Sequence, residues 1–365
     1  MEDFNKAFDY IIVGAGSAGC TLANRLTEDV SRTVLLLEAG GKDSNPWIHI
    51  PVGFVKTLDM PGLNWRFETE PEPNSKNRRI PIPRGRVLGG SSSINGMVYV
   101  RGQPLDYDTW SQLGNRGWSY ESVLPYFSKS ENYESSDEAW RGKNGELVTA
   151  EGREKAELLD VVLDAAEQCG YPKNADYNSG DQEGFGYFQV TQKNGRRWST
   201  AKAFLEPALK RPNLSLEINA HTLGILTDGG RATGVKFEQN GKTRTVTAAK
   251  GVVLCAGAVQ SPQILELSGI GNPNILRQYG IEVVHPLPGV GENYQDHYMV
   301  RQTWEIKKKI TLNEQTRGVS LIREALRYAF TRRGIMTYPA GILAGFVRTR
   351  PEIATPDVQY HICLL

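Results

Sequence analysis

The sequence of 365 residues has few cysteines, almost no net charge and no long apolar run. The four cysteines (Cys20, Cys169, Cys255 and Cys363) form no Cys-x-x-Cys pair, which argues against a zinc site, an iron–sulfur cluster or a disulfide framework. With 42 lysines and arginines against 41 aspartates and glutamates, the formal charge of +1 gives no overall field that attracts nucleic acid. No apolar stretch approaches the ~20 residues that span a bilayer, and the first residues do not resemble a signal peptide. We therefore expect a cytoplasmic protein that binds neither a metal nor nucleic acid.

The first forty residues predict a strand–helix–strand unit. Residues 9–13 and 33–37 are short apolar runs rich in β-branched residues and leucine, typical of strands buried on both faces of a parallel sheet. Between these runs, apolar residues at Ala18, Leu22 and Leu26 have the spacing of a helix that packs on a sheet.

A glycine motif joins the first predicted strand to the helix. Gly14-x-Gly16-x-x-Gly19 follows the strand directly, and Glu38 stands 19 positions after Gly19, at the end of the second strand. This context is the one that a dinucleotide-binding fingerprint requires. The glycines allow a tight turn and a close approach to a pyrophosphate, which the helix N-terminus attracts with unpaired N–H groups. The Glu38 carboxylate can accept hydrogen bonds from the hydroxyls of a ribose, and its charge would repel a 2′-phosphate.

Two later segments are also rich in glycine. Residues 83–99 contain paired glycines and three serines between apolar residues, a composition unlike that of a solvated linker. Residues 257–271 follow a second buried strand at 251–257, which we expect to rejoin the N-terminal sheet and so make that domain discontinuous. Ser261 and Pro262 are predicted to be the N-cap and the first residue of a helix.

The rest of the chain predicts mixed structure. Prolines between residues 45 and 117 exclude long helices and central strands there. We predict helices at residues 154–169 and 320–333, antiparallel strands at residues 215–226 and 234–248, and a terminal strand without a following partner at residues 357–365.

Together these segments resemble the glucose–methanol–choline (GMC) family of flavin oxidoreductases, which includes alcohol dehydrogenases and oxidases. Residues 83–99 and 257–271 are similar to the two signature patterns of that family, and residues 64–71 and 289–297 resemble two further family stretches. The resemblance covers essentially the whole chain and is nearest to the bacterial branch that acts on choline or medium-chain primary alcohols.

The resemblance implies an α/β fold in two domains. One is an FAD-binding, Rossmann-like domain with a parallel sheet, formed by residues 1–150 and 211–300. The other is a substrate domain of the α+β class with an antiparallel sheet, formed by residues 151–210 and 301–365 and truncated at its end.

The resemblance also assigns residues to a bound FAD. The segment from Gly14 to Gly19 would hold the pyrophosphate, and Glu38 with Ala39 the adenosine ribose. The backbone of Thr222 would read the adenine edge, and Ala256 and Gly257 would flank the adenosine. The ribityl chain and the isoalloxazine ring would contact Trp65, Arg84, Gly85, Gly90, Ser91, Asn95, Gly96, Met97 and Val98, and the pyrophosphate segment includes Ala15, Gly16, Ser17 and Ala18.

Ile94 indicates how the FAD would be attached. Some relatives have at this position a histidine that bonds covalently to the flavin, whereas isoleucine has no nucleophile. We therefore predict a non-covalent FAD. The implied reaction is oxidation of an alcohol CH–OH group by hydride transfer to flavin N5, with oxygen or a quinone as the electron acceptor.

The histidine pair that performs base catalysis in this family is not found in the sequence. None of the five histidines (His49, His221, His285, His297 and His361) has the family's His-Pro-x-Gly context. The catalytic residues are therefore unknown, and the chain is expected to stop within the substrate domain. An artificial fragment, a natural truncation and a split enzyme completed by a second chain all remain open, as does a homo-oligomer.

Other functions are also left open. The same scaffold hosts lyases and a decarboxylase, and the chain could be a non-catalytic flavin-binding subunit. A nicotinamide-dependent dehydrogenase would not need residues 84–99. The helix at residues 320–333 has an apolar side that we expect to cover the substrate domain, with peripheral attachment to a membrane as the alternative.

Overall fold

The chain forms two compact units, each assembled from three separate ranges. A computed structural model describes residues 2–3, 7–134 and 139–364. The first unit spans residues 1–44, 57–94 and 199–304, and the second spans residues 45–56, 95–198 and 305–365.

This division differs from the expected domain limits chiefly at residues 95–150, which lie in the second unit. The reason is strand pairing: Glu131–Tyr133 pairs with Leu147–Glu151, which in turn pairs with Gln189–Val190. Residues 45–56 also belong to the second unit, and residues 199–210 belong to the first.

The first unit is organised by a seven-stranded sheet that contains both parallel and antiparallel pairs. The strand order is Leu214–Glu217, Val34–Leu37, Phe8–Val13, Lys242–Leu254, Arg231–Gln239 and His221–Asp228, with Glu2–Asp3 paired to the fourth of these. The first four strands run parallel and the last two join antiparallel. Ile11, Ile12, Leu35 and Leu36 are fully buried, as expected for strands covered on both faces.

The expected strands at residues 9–13 and 33–37 are confirmed within one residue, but the segment at 215–226 differs from the prediction. Its first part, Leu214–Glu217, is parallel to Val34–Leu37, and only His221–Asp228 is antiparallel to its neighbour. The late strand does rejoin the N-terminal sheet, because Lys242–Leu254 pairs with Phe8–Val13.

Helices and several short elements complete the first unit. The helices are Ser17–Leu26, the π-helical turn Ala201–Leu205 followed by Glu206–Ala208, Gly257–Leu267 and Pro273–Gln278. Two short 3-10 helices are Pro73–Ser75 and Gly90–Ser93. Two pairs of short strands are Phe67–Glu68 with Pro81–Ile82 and Ile270–Gly271 with His285–Pro286. The helix predicted to begin at Ser261 begins at Gly257 instead, with Pro262 inside it. Pro262 has no N–H for the carbonyl four residues earlier, and the helix accommodates the loss of that one bond.

The second unit contains two small three-stranded sheets and four longer helices. Besides the sheet that ends at Gln189–Val190, a second sheet has the antiparallel order Val358–Ile362, Leu343–Val347 and Gly184–Tyr187. The helices are Pro104–Gln112, Tyr120–Ser130, Glu157–Gln168 and Gly318–Thr331, with short elements at Pro46–His49, Pro51–Gly53, Phe54–Thr57, Gln192–Lys193, Arg196–Arg197, Leu312–Gln315 and Ile335–Thr337. The terminal strand thus has one partner, Leu343–Val347.

The helix Gly318–Thr331 corrects one prediction. Its apolar side was expected to cover the domain, yet Ile322 and Leu326 are exposed and the buried side chains are Glu324 and Tyr328. Periodicity identifies two faces of a helix but does not say which one faces inward. Within the residues that the structure describes, no helix is long and apolar enough to cross a membrane.

Candidate cofactor site

A cavity of about 570 Å³ lies in the first unit, at the carboxyl ends of its parallel strands. Val13, Leu37 and Leu254, which end three neighbouring strands, line its floor. Ligands of open α/β sheets bind at this edge, where the loops after the strands meet.

The turn from the first strand into the first helix requires glycine. Gly14 has φ +98°, and a Cβ there would lie 2.5 Å from the carbonyl oxygen of Cys255. A Cβ on Gly19 would lie 1.9 Å from the Gly14 carbonyl oxygen, so the helix and the turn pack closer than any side chain permits. Together they bring the start of the helix Ser17–Leu26 to the cavity.

A second glycine segment closes on this turn. Gly90 has φ +53°, and a Cβ on it would lie 2.7 Å from the Cα of Gly16. Gly85 is nearby, where its N–H donates to the Oγ of Ser91 at 3.1 Å. Gly16, Gly85, Gly90 and Ser91 all line the cavity, so its wall here is mostly backbone.

Two helices begin at the cavity. Ser17–Leu26 and Gly257–Leu267 have N-cap residues Gly16 and Ala256, which form no side-chain cap, and neither helix has an acidic residue in its first turn. The first N–H groups of a helix have no partner within the helix, and they carry the positive end of its dipole. The two starts therefore make the cavity suitable for an anion such as a pyrophosphate.

Glu38 is a buried carboxyl group at the cavity. Its Oε2 accepts a hydrogen bond from the Ala15 N–H at 2.9 Å, and its Oε1 accepts one from the Gly40 N–H at 2.8 Å. Burial raises the pKa of Glu38 to about 7, while those two hydrogen bonds and the charge of Arg86 act in the opposite direction. The carboxyl group joins the glycine turn to the end of the second strand, and each oxygen keeps a further lone pair.

Aromatic rings form another part of the cavity wall. The ring of Trp65 is stacked on Phe67, with centroids 5.9 Å apart, and lies 5.7 Å from the ring of His221. The guanidinium of Arg86 lies 4.7 Å from the Trp65 ring centroid. Burial, and next the charge of Arg86, lower the pKa of His221. Trp65 thus lies next to the residue that precedes Thr222.

Arg84 is held by an acidic residue from a distant part of the same unit. Its Nη2 donates to Asp296 Oδ2 and to the Tyr294 hydroxyl, both at 3.1 Å. The hydrogen bond from Tyr294 is the largest of several effects that lower the pKa of Asp296, so the carboxylate stays ionised. The orientation of Arg84 along the cavity wall is therefore set by residues 294–296.

The structure brings together most of the residues singled out for the cofactor. Those that line the cavity are Gly14, Gly16, Ser17, Ala18, Glu38, Ala39, Trp65, Arg84, Gly85, Gly90, Ser91, Thr222, Ala256 and Gly257. Ala15 and Gly19 do not line it, because their roles are the bond to Glu38 and the contact with Gly14.

Four of the expected residues belong to the second unit: Asn95, Gly96, Met97 and Val98. Asn95 is held there by the buried Arg197, whose Nη1 donates to Asn95 Oδ1 at 2.6 Å and whose Nη2 donates to Asn95 O at 2.7 Å. The Nε of Arg197 donates to Ile48 O at 2.7 Å, and burial lowers the pKa of this arginine to about 9. Met97 has the unusual φ of +63°.

Sequence reasoning missed several residues of the cavity wall. Phe67 and His221 were not assigned, although the Trp65-x-Phe67 spacing shows two aromatic residues close together in the sequence. The first turns of the helix Gly257–Leu267 were missed because the helix was expected to start later, and they contribute Ala258, Val259, Gln260, Ser261, Gln263 and Ile264. His221 is the sole histidine of the five that lines the cavity.

Comparison with known proteins gives one family. The family model described as GMC oxidoreductase matches residues 8–299. The chain is 42% identical to an oxygen-dependent choline dehydrogenase of Sinorhizobium medicae over 357 residues, covering 97% of this chain and 64% of the relative. It is 44% identical to one of Photobacterium profundum, covering 98% and 63%. The chain thus spans less than two thirds of the length of these relatives.

Comparison with solved structures finds similar folds among flavin oxidoreductases. An FAD-dependent oxidoreductase from Chaetomium thermophilum superposes with a TM-score of 0.85 at 30% identity, over 93% of this chain and 61% of that one. A formate oxidase of Aspergillus oryzae RIB40 superposes with a TM-score of 0.85 at 26% identity, over 94% and 62%.

Proposed function

The chain belongs to the GMC oxidoreductase family, and from this premise we propose that it is the FAD-binding part of an enzyme that oxidises an alcohol CH–OH group. When bound, FAD supplies the acceptor for the hydride of the alcohol. Choline or another primary alcohol is the substrate that we propose, with oxygen or a quinone as the final acceptor, in line with the names of the relatives.

The fit of the cavity to FAD carries this proposal. Its volume is in the range of sites for cofactors and other small molecules. Gly14 packs against the Cys255 backbone and Gly90 against Gly16, so the cavity wall there is backbone, and a Cβ at either glycine would clash with it. The two uncapped helix starts suit the pyrophosphate, and the free lone pairs of Glu38 suit two ribose hydroxyls.

We assign the adenine to the aromatic part of the wall. Thr222 is the residue proposed to read the adenine edge, and Trp65 and His221 lie beside it. This assignment moves Trp65 from the ribityl chain and flavin ring, where the family resemblance puts it, to the adenosine end. Aromatic stacking on a base contributes about 1–3 kcal/mol, enough to matter for cofactor affinity.

The flavin end of the cofactor is proposed to contact Arg84 and Ser91, which line the cavity. The family resemblance assigns a binding role to residues 95–98 as well. Two features support a binding role for residues 95–98: the strained φ of Met97 and the buried Arg197 that holds Asn95. Ile94 is buried and has no nucleophile, which supports a non-covalent FAD.

We assign no catalytic base. The ring of His221 lies 5.7 Å from that of Trp65 at the proposed adenine end, which is not the end where an alcohol would meet the flavin. The chain's own contribution is therefore to bind the cofactor, orient it and exclude water from its pyrophosphate.

Titration of the purified chain with FAD tests the binding proposal. We expect a yellow complex whose flavin is released into the supernatant by acid precipitation. Flavin that remains with the precipitate would contradict the non-covalent assignment, and a colourless protein would contradict cofactor binding. The redox proposal is tested separately, by anaerobic addition of choline or a primary alcohol and measurement of flavin bleaching.

A further inference from the structure

The short helix Gly90–Ser93 is entered through an unusual backbone. Gly89 and Gly90 are consecutive residues in the left-handed region, with φ of +87° and +53°. Glycine loses more conformational freedom on folding than any other residue, so two such residues stay in one conformation only when other groups hold them. Gly90 and Ser91 line the cavity. The groups that order this segment therefore also set the shape of the cavity wall.

Ser92 holds the carbonyl group of Gly89. Its N–H and its hydroxyl both donate to this oxygen, at 3.1 and 2.6 Å. The hydroxyl oxygen of Ser92 in turn accepts a hydrogen bond from the N–H of Thr200 at 3.0 Å. The two hydroxyl oxygens lie 2.8 Å apart. Because the single hydroxyl proton of Ser92 is donated to Gly89, the hydroxyl of Thr200 is the donor in this second bond.

Thr200 is fixed by its own surroundings in the first unit. It is buried, and the π-helical turn Ala201–Leu205 follows it directly. Within this turn, the carbonyl oxygen of Phe204 accepts from the side-chain amide of the buried Asn24 at 2.8 Å. Asn24 belongs to the helix Ser17–Leu26, whose first residues line the cavity. The π-helical turn thus connects that helix to the glycine segment of the cavity wall, and such turns are frequent at functional sites.

We propose that Ser92 and Thr200 are positioning residues for FAD, whose hydrogen bonds hold Gly90 and Ser91 in the arrangement that the cofactor requires. This inference rests on the proposed binding of FAD. Neither Ser92 nor Thr200 lines the cavity, so the two residues act through their neighbours. Ser91 is assigned to the flavin end, whereas the helix start and Glu38 are assigned to the adenosine end. Loss of the pair should therefore weaken the binding of FAD more than that of ADP.

Removal of one hydroxyl group tests the proposal. Thr200→Val keeps the size of the side chain and the backbone N–H, but removes the proton donated to Ser92. Titrations should show FAD binding about five- to tenfold weaker and ADP binding weaker by less than about twofold. Thr200→Ser keeps a hydroxyl and should restore FAD affinity. Unchanged FAD affinity in Thr200→Val overturns the proposal, as does an equal loss of affinity for FAD and ADP.

Thr27→Val is the matched control for a purely structural loss. Thr27 is fully buried at the other end of the helix Ser17–Leu26, and its hydroxyl donates to the carbonyl of Ala23 at 2.7 Å. This variant should unfold at a lower urea concentration than the unaltered chain but bind FAD with unchanged affinity. If it weakens FAD binding as much as Thr200→Val does, the hydroxyl of Thr200 has only a general structural role and the proposal is wrong.

Hydrogen exchange in the FAD-free chain separates this inference from the proposed function. The N–H groups of Gly89, Gly90 and Ser92 are hydrogen-bonded. Mass spectrometry should show them exchanging at least about tenfold faster in Thr200→Val, and in Ser92→Ala as a second variant, but not in Thr27→Val. Unchanged exchange in the first two variants overturns the inference even where FAD binds. An unaltered chain that does not bind FAD overturns the proposed function, and the role of the pair toward FAD with it.

Discussion

Gly16 and Gly90 are 74 positions apart in the sequence, yet a β-carbon on Gly90 would lie 2.7 Å from the Cα of Gly16. Their contact closes the glycine turn of the first helix against the serine-rich segment. The cofactor groove is thus formed by two stretches of backbone that touch only because neither has a side chain at this point.

Gly90→Ala is expected to weaken FAD binding by at least about tenfold. The new methyl group meets Gly16, and a left-handed φ is unfavourable by roughly 1–2 kcal/mol for alanine. Flavin fluorescence titration measures the effect. Gly62→Ala is the control, because no atom lies within 4 Å of a Cβ there. If the Gly90 variant bound FAD with unchanged affinity, the close contact between Gly90 and Gly16 would not be needed for cofactor binding.

Glu38→Gln is expected to destabilise the chain by about 1–3 kcal/mol near pH 4.5, well below the raised pKa of Glu38. The amide has only one oxygen for the two N–H groups of Ala15 and Gly40, so one buried donor loses its acceptor. Urea unfolding measures the loss, with Glu68→Gln, at an exposed residue, as the control. Equal stability of the two variants would mean that the carboxyl group does not hold the turn.

The stability of the FAD-free chain is expected to decrease between about pH 4.5 and pH 7 through Glu38. Burial raises the pKa of this group from 4.5 to about 7. In that window the folded chain retains a proton that the unfolded chain has released, so the free energy of unfolding falls as pH rises, by roughly 3 kcal/mol in total. Urea midpoints against pH should show this slope in the unaltered chain and lack it in Glu38→Gln. If the urea midpoints of the two proteins changed with pH in the same way, Glu38 would not be the group responsible for the slope.

Trp65→Leu is expected to weaken the binding of both FAD and ADP by about 5- to 150-fold, because it removes the proposed stacking on adenine. ADP contains the adenosine end of the cofactor without the flavin. Weaker FAD binding with unchanged ADP binding would instead put Trp65 at the flavin ring. Trp304→Leu serves as the control, since that side chain is 75% exposed.

Arg197→Lys is expected to lower the free energy of unfolding by about 2–5 kcal/mol. A lysine cannot supply the three separate bonds to Asn95 and Ile48, so buried acceptors lose their donors. Arg196→Lys, at the exposed neighbouring position, should change little. Thermal unfolding of both variants makes the comparison.

The strands and the glycine turn could be predicted because their signals are local. Residues 10–13 and 34–37 are apolar throughout. The Gly14 to Gly19 spacing, followed by Glu38 at the end of the next strand, is typical of a dinucleotide-binding turn. The start of the helix Gly257–Leu267 could not be predicted in this way, because Pro262 is usual at the first position of a helix and tolerated, at a loss of one bond, further inside.

The parts that could not be predicted depend on contacts between distant residues. His221 joins the cavity wall only because its strand brings it to Trp65, and Arg84 meets Asp296 across more than two hundred residues. The inward turn of Glu324 is set by Gly195 and Ile335 around its helix, which no periodicity reveals.

The position of Lys242–Leu254 between Phe8–Val13 and Arg231–Gln239 has a consequence for synthesis on the ribosome. The N-terminal strands emerge first but lack their neighbour on one side until residue 254 has left the exit tunnel. Until then Val13 and Ile11 have an open sheet edge, and the pyrophosphate groove has only one of its two helices. A nascent chain therefore becomes able to bind the cofactor only late in synthesis. Before that point, a chaperone that shields exposed strand edges would raise the yield of folded protein.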